Sequence, residues 1–187
     1  MKNNKTTLFA ALLLAAGMPL FAATPPKFPL PNTQAGGQTT YNISDKVRHE
    51  LVMLPFLTIF DNLGYRVDGT RVTLVGQVTR PVLKDDAGRV VKNIEGVTAV
   101  ENDLEVLPLS PFDNQIRWAE ARTIYAYPAL NRYGMGTQPS IHIVVKNGKV
   151  TLVGVVNSET DKNLAGIRAN QVPGVFSVEN DLQVVKG

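Results

Sequence analysis

The chain has 187 residues, no cysteine and a formal net charge of +3 at neutral pH. The lack of cysteine excludes a fold held by disulfides and a lipid-modified N-terminal cysteine. Lys and Arg do not form runs, so the composition gives no support to nucleic-acid binding. Beyond the N-terminal region, no segment of the sequence is long and apolar enough to span a bilayer.

Residues 1–23 have the layout of a secretory signal peptide. Lys2 and Lys5 precede an uncharged apolar run at 8–16, and small residues follow up to Ala23. We predict cleavage near this point, with an uncleaved anchor as the alternative. Loss of the two lysines would leave a mature net charge of about +1. Export without disulfides favours the bacterial periplasm, with peripheral contact to a membrane.

Residues 24–42 are rich in Pro and Gly and contain little to bury, which predicts a flexible linker. A first helix is expected after Ser44 and Asp45, because these residue types are favoured as N-caps. The helix would run into residues 51–60, which are more apolar than one helix face requires. We interpret that segment as core, with a partly exposed patch for a partner as the alternative.

Two stretches of the chain are copies of each other. Residues 72–107 and 150–185 share 17 identities in 36 positions at a shift of 78, without a gap. Both contain the sequence VENDL. Because such self-similarity indicates a duplicated structural unit, we predict a first domain at 43–109 and a second at 110–187.

The first half of each unit is predicted to be a helix and a β-hairpin. Ser110, Pro111 and Asp113 have the spacing of a helix start in the second unit. Apolar residues then alternate as in a half-buried strand. The Asn147-Gly148 pair predicts a type I′ turn in the second unit, and the corresponding first turn, which is one residue off this pattern, is expected to be longer.

The second half of each unit is predicted to be a helix and a strand. Apolar residues spaced along one face predict helices at 81–94 and 159–172, and a glycine follows each where a helix should stop. VENDL then lies in the last strand. We therefore predict an α+β fold of two tandem αββαβ units, each a three-stranded mixed sheet with helices on one face. About nine extra residues of the second copy fall in or near 131–140.

The sequences VTLVG after a hairpin and GVxxVxNDL at the end of each unit resemble those of the BON domain. The resemblance covers nearly all of 43–186. The residues that define the repeat are Gly76, Gly96, Asn102, Gly154, Gly174 and Asn180. BON domains occur, often in tandem, in exported bacterial envelope proteins, including osmotically induced periplasmic proteins and phospholipid-binding lipoproteins. The resemblance implies binding to phospholipid or protein surfaces and no shared catalytic motif.

Few residues suggest chemistry. Glu101 and Asp103, like the corresponding pair in the second copy, are spaced as solvent-facing residues of a strand, and the asparagine between them is interpreted as an aid to the preceding turn. His49 and His142 do not have a metal-ligand spacing. Because the sequence has no nucleophile, nucleotide or metal motif, we predict a non-enzymatic protein without a cofactor.

The most distinctive segment, at 112–134, interleaves aromatic residues with arginine, a combination that suits an interface or a membrane headgroup region. The candidate membrane or partner surface consists of Arg117, Trp118, Arg122, Tyr125, Tyr127, Arg132 and Tyr133. The alternative is that about half of these aromatic residues pack under the sheet.

The two units differ in charge. Residues 45–107 carry a net charge of −2 and residues 113–187 a net charge of +2. This split favours an envelope binding module that contacts anionic phospholipid mainly through the second unit. A periplasmic protein-interaction or osmotic-stress-protective module is the alternative. Divided roles of the copies are expected where they differ, as at 98–99 and 176–177.

Overall fold

The computed structural model describes residues 37–135 and 139–185, so the predicted signal peptide and most of the predicted linker lie outside the described residues. The elements in chain order are α1 (Gly37–Val52), β1 (Asn62–Asp68), β2 (Arg71–Val78), α2 (Pro81–Lys92), β3 (Ala99–Val106), α3 (Pro111–Tyr125), a 3₁₀ helix (Asn131–Gly134), β4 (Ile141–Lys146), β5 (Lys149–Val156), α4 (Glu159–Ala169) and β6 (Ser177–Val184). Unit one comprises α1 to β3, and unit two comprises α3 to β6.

Each unit contains one three-stranded mixed sheet. The order is β1-β2-β3 in unit one and β4-β5-β6 in unit two, with the first pair of strands antiparallel and the second pair parallel. The parallel pair needs a crossover, which α2 and α4 supply. The predicted α+β class with two tandem αββαβ units is confirmed.

The helices cover one face of each sheet. In β2, Val72, Leu74 and Val78 are buried against helical residues that include Ala87 and Val91. The same alternation buries the corresponding residues of β5 against α4. The intervening residues face the opposite side, which leaves one open face on each sheet. The two predicted stripes of apolar residues along the crossover helices therefore form part of the cores.

Three predicted boundaries need correction. Helix α1 begins at Gly37, inside the predicted linker, and Ser44 is not its N-cap but accepts a hydrogen bond from the Tyr65 hydroxyl at its carbonyl oxygen, 3.1 Å away. The crossover helices end at Lys92 and Ala169, two or three residues before the predicted ends. The first hairpin turn is not longer than the second, because Asp68 pairs directly with the third residue after it.

The two hairpins reach the same loop length with different backbones. In unit two, Asn147 and Gly148 have φ of +53° and +74°, as a type I′ turn requires. In the hairpin turn of unit one, only Gly69 has a positive φ, +60°, which is the pattern of a type II′ turn with glycine in the first central position. The type I′ prediction for unit two is confirmed.

Gly76 and Gly154 are required by the strands in which they lie. Their φ values are +122° and +124°, and a Cβ atom would lie 1.9 Å from the carbonyl oxygen of Asn62 or 2.0 Å from that of Ser140. No side chain fits at either position. The repeated VTLVG sequence therefore records a close backbone approach that both units share.

The repeated asparagines contact the crossover helices. Asn102 and Asn180 donate hydrogen bonds from Nδ2 to the carbonyl oxygens of Lys84 and Lys162, at 2.8 and 2.7 Å. Each helix can approach its asparagine because the helical residue that faces the amide is a glycine, Gly88 or Gly166. A Cβ at either glycine would lie only 2.8 Å from the asparagine Nδ2. The interpretation of these asparagines as aids to the preceding turn was wrong, since they join the last strand to the helix.

The units are joined by a segment that belongs to unit one in the sequence and packs on unit two. The Ile59 carbonyl accepts a hydrogen bond of 2.8 Å from Ile143 N–H, at the edge of β4. His142 Nδ1 donates to the Asp61 carbonyl at 2.7 Å, and Phe60 is buried in the core of unit two. This segment therefore covers the outer edge of β4, which would otherwise present unpaired backbone groups.

Candidate interaction surfaces

The structure divides the predicted Arg/aromatic surface into buried and exposed residues. Arg117 is 6% exposed and donates from Nη2 to the carbonyl oxygen of Val145 at 2.8 Å. Burial lowers the pKa of its guanidinium, although Asp113 and Asp61 favour its charged form. Arg117 therefore holds α3 against β4 and is not available to a membrane, contrary to the prediction.

Two tyrosines of the predicted surface serve the core. Tyr133 is buried in the core of unit two, and its hydroxyl donates to Asp161 at 2.7 Å. That hydrogen bond lowers the pKa of Asp161, whereas burial raises the pKa of Tyr133. Tyr125 is half-buried and donates to the Ile141 carbonyl, and burial raises its pKa. The alternative prediction, that about half of the aromatics pack under the sheet, describes these residues.

Tyr127 and Arg132 lie at the border between core and surface. The Arg168 guanidinium lies over the half-buried Tyr127 ring, 5.1 Å from its centroid. Arg132 is exposed, with its guanidinium 5.4 Å from the Tyr133 ring centroid and 3.5 Å from the Asp161 carboxylate. These contacts hold Tyr127, just after α3, and Arg132, in the 3₁₀ helix, and leave the Arg132 charge partly neutralised.

Trp118 and Arg122 remain on the surface of α3. Trp118 is 56% exposed, and Arg122, one helical turn further along, is also exposed. The Trp118 ring is held by Phe60, which it meets in an edge-to-face arrangement with ring centroids 5.1 Å apart. The exposed part of the predicted surface therefore combines the indole of Trp118, packed against Phe60, with the exposed guanidinium of Arg122.

Glu120, which lies between Trp118 and Arg122 in the sequence and was not predicted as a site residue, is fully buried. Neither of its carboxylate oxygens has a hydrogen-bond partner among the described residues. Burial raises its pKa to about 8, so the group is mainly protonated at neutral pH. The sequence contained an indication of this burial. The first helices of the two units align at a shift of 69 residues, which matches Glu120 with Leu51, a core position.

The apolar segment 51–60 is partly core and partly exposed, and its role as a patch for a partner stays a prediction. Leu51 and Leu54 are buried in unit one, whereas Met53 and Phe56 are exposed. Phe56 has a φ of +69°, which is rare for an aromatic residue, and the Arg80 guanidinium lies 5.3 Å from its ring centroid. The contribution of Phe60 to the core of the other unit was not predicted.

A cleft of about 360 Å³ lies between the open faces of the two sheets. Its apolar floor is formed by Leu107, Val144 and Val153, which are packed together. Lys146 forms an ion pair with Glu105 across the cleft. The walls carry both signs of charge and amide groups, including Arg66, Gln77, Lys149, Glu179 and Asp181.

The described residues show no arrangement for metal chemistry. Glu101 is exposed and Asp103 faces the same side, as predicted for strand residues, while His49 is exposed and His142 binds backbone. Within 37–135 and 139–185, no three His, Cys, Asp or Glu side chains are grouped so that they could hold a metal ion. Over the same residues, the structure has no helix with the length and apolarity needed to cross a membrane.

Comparison with known proteins gives a family. The model of the BON domain matches residues 40–108 and 129–186. The chain is 32% identical over 108 residues to the outer membrane lipoprotein DolP of Haemophilus influenzae and 31% identical over 124 residues to the osmotically-inducible protein Y of Escherichia coli K12. These alignments cover 58% and 65% of this chain and 55% and 61% of the relatives, so the chain matches little more than half of their length.

A solved structure of CdsD, a structural protein of the type III secretion system of Chlamydia trachomatis, covers 78% of this chain and 93% of its own. Its sequence identity of 12% and TM-score of 0.32 are too low to support an argument. The family model, in contrast, matches well over half of the residues, once in each unit. The chain belongs to the BON-domain family.

Proposed function

We propose that the protein is a non-catalytic binding module of the bacterial envelope that contacts anionic phospholipid surfaces mainly through unit two. The exposed pair of Trp118 and Arg122 on α3 carries the proposal. Indole rings are favoured at the membrane–water interface, and a cation near an anionic surface contributes about 1 kcal/mol. The corresponding residues of unit one are His49 and Met53, so unit one lacks this pair.

The net charges of the units support the same orientation. Unit two carries +2 over 113–187 and unit one −2 over 45–107. An anionic surface would therefore attract unit two and repel unit one, and salt would weaken both effects. One of the two relatives supports an envelope setting, since it is named an outer membrane lipoprotein.

Vesicle binding tests the proposal without a label, because Trp118 is the only tryptophan of the chain. Phosphatidylglycerol vesicles should sediment the purified protein and shift its tryptophan emission to the blue, and added salt should reverse both effects. Arg122→Gln should weaken binding about fivefold, as expected for the loss of about 1 kcal/mol. Arg48→Gln, an exposed arginine of α1, is the matched control and should bind as the wild type does.

Equal binding to neutral phosphatidylcholine vesicles, or no binding at low salt, would contradict the proposal. Arg117 is not a suitable site for this test, because it is buried and its replacement would disturb the packing of α3 on β4.

The cleft favours a second candidate function, the binding of a periplasmic protein or a stress-protective contact with one. Its mixed charges and apolar floor suit a polypeptide better than a lipid headgroup. A photocross-linker at Thr151 in the cleft should capture a discrete protein in intact cells, whereas one at Lys92 on α2 should not. Equal labelling at both positions would speak against this function.

Export to the periplasm is part of the proposal and rests on the layout of residues 1–23. N-terminal sequencing of the protein from a periplasmic extract should give a start close to residue 24. A start at Met1 in that fraction would favour the uncleaved anchor instead.

A further inference from the structure

The end of the β4–β5 hairpin carries two exposed phenylalanines. We define the unit-two tip as residues 146–149 together with Phe112, at the start of α3, and Phe176, just before β6. Phe112 is 55% exposed and Phe176 is 80% exposed. A Cβ placed on Gly148 would lie 3.6 Å from Phe176 Cβ and 3.7 Å from Phe112 Cε1, so both side chains flank the same turn.

The turn that displays these rings is held rigidly. The buried Asp113 carboxylate accepts hydrogen bonds from the backbone N–H groups of Asn147 and Gly148, at 2.9 and 2.8 Å. The Phe176 N–H donates to the Gly148 carbonyl at 2.8 Å. The rings are therefore presented on an ordered frame, so that contact with a partner would not first have to order the turn.

The positive charges of the tip are only partly compensated by the described residues. Lys146 and Lys149 are directly opposite each other across the hairpin, and like charges in that position destabilise a strand pair. Lys146 forms an ion pair with Glu105, whereas Lys149 has no ion-pair partner within 4.0 Å among the described residues. A surface that supplies negative charge would relieve this repulsion.

The corresponding tip of unit one has the opposite character. Asp68 and Arg71 replace the two lysines and are of opposite charge. Thr98 replaces Phe176, and its hydroxyl lies 2.7 Å from that of Thr70. Ile43 replaces Phe112 and is buried. In unit one the residues of the tip therefore pair with one another or are buried, whereas unit two leaves an aromatic and cationic tip open to solvent.

We infer that the unit-two tip inserts into the headgroup layer of an anionic bilayer, with Phe112 and Phe176 reaching the acyl boundary and Lys146 and Lys149 contacting phosphates. This inference rests on the proposed function and identifies where contact begins. A bilayer suits the tip because the two exposed rings flank a turn at the end of a sheet and the two lysines lie next to that turn. Aromatic rings beside cations suit the membrane interface.

Single-cysteine labelling tests the insertion directly, because the chain has no cysteine of its own. An environment-sensitive dye on Phe176→Cys should shift to the blue and be shielded from an aqueous quencher when phosphatidylglycerol vesicles are added. The same dye on Thr98→Cys, the matching position of unit one, should remain in water.

Binding strength gives a second readout. Phe176→Thr introduces the residue type of unit one and should weaken vesicle binding roughly tenfold, because partial burial of the ring is lost. Leu109→Thr is the control, since Leu109 is 95% exposed and lies outside the tip; it should bind as the wild type does.

The outcomes separate this inference from the function on which it rests. If the wild type binds phosphatidylglycerol vesicles while the dye at 176 stays in water and Phe176→Thr binds normally, the tip does not insert and the inference is overturned. If the wild type binds no vesicles, the proposed function itself fails. A dye shift that occurs without vesicles and rises with protein concentration, or displacement by soluble glycerol phosphate, would replace the bilayer with a second copy or a free headgroup.

Discussion

Unit one and unit two have the same strand order, the same crossover helices and the same two backbone devices, but different side chains at a few positions. Unit one needs a glycine at 76 and unit two at 154. In each unit an asparagine, at 102 or 180, donates a hydrogen bond to the crossover helix. They differ where α1 and α3 face the core and where the hairpins end. The duplication therefore kept the residues that determine the backbone and changed side chains both in the first helix, where it faces the core, and at the hairpin tips.

The differences within the core are as large as those on the surface. Leu51 of α1 corresponds to the buried Glu120 of α3, and Ser44 corresponds to Asp113, which binds the tip of its own hairpin. A buried carboxyl without a partner costs stability. The first helix of unit two thus carries one buried polar group that binds its hairpin, Asp113, and one that costs stability, Glu120. The first helix of unit one has an ordinary apolar face.

The largest expected effect tests what the units share. Gly154→Ala should lower the free energy of unfolding by about 4 kcal/mol or more, because the new Cβ would meet a backbone oxygen in a conformation that strains alanine. Gly76→Ala should cost the same. Gly69→Ala has open space and should cost only about 1 to 2 kcal/mol. Urea unfolding measures the stability of all three variants. If only one of Gly76→Ala and Gly154→Ala were tolerated, the two units would not be equivalent at this position.

The next effect tests where unit one ends. Phe60→Ala should cost about 3 to 4 kcal/mol, as expected for removal of a buried phenyl ring. Hydrogen exchange should show the loss in β4 and β5 of unit two, although residue 60 precedes β1. Phe56→Ala, with its ring exposed, is the control and should change stability by less than about 1 kcal/mol. Loss confined to unit one would contradict the packing.

The third effect sharpens the contrast between Glu120 and Leu51. The folded-state pKa of Glu120, about 8, lies above the ordinary value of 4.5, so the folded state binds the proton more tightly. Its contribution to stability is complete at low pH and falls as the pH rises towards 8. Between pH 5 and 7.5 the loss should be about 3 kcal/mol.

Glu120→Leu should remove this dependence and should be more stable than the wild type at pH 7.5. The difference between the two unfolding curves is the relevant quantity, because burial lowers the pKa of His142 and its titration appears in both proteins. A wild-type curve that does not fall relative to Glu120→Leu would show that Glu120 is solvated or paired in solution.

The smallest effect concerns the frame of the unit-two tip. Asp113→Ala should cost about 2 kcal/mol, because two backbone N–H groups lose a charged acceptor. Amide exchange of Asn147 and Gly148 should accelerate more than that of the hairpin strands. Ser44→Ala, at the matching position, should cost clearly less. Equal costs would mean that the two first helices support their hairpins equally.

The sequence predicted the fold because the repeat made each weak local pattern appear twice. The alternation in 72–78 and the Asn147-Gly148 pair each specify local structure, and the shift of 78 showed that both belong to one unit. Helix ends were less predictable, because Ile94 and Val172 stay buried beyond the last helical residues and so continue the apolar pattern that predicts a helix.

The candidate surface was only partly predictable for a similar reason. The spacing of Arg117 and Trp118 in a helix does not say which side meets the sheet, and the structure buries the first and exposes the second. The exposure of Phe112 and Phe176 depends on a turn that lies between them in space and apart from both in the sequence. The surplus of apolar residues at 51–60 was visible, but its destination in the other unit was not.

The position of Phe60 has a consequence for synthesis of the chain. The partners of the segment around it, His142 and Ile143, follow about 80 residues later, so unit one leaves the ribosome with an uncovered phenyl ring and a free carbonyl at Ile59. Any delay between the synthesis of the two halves would prolong the exposure of this apolar segment.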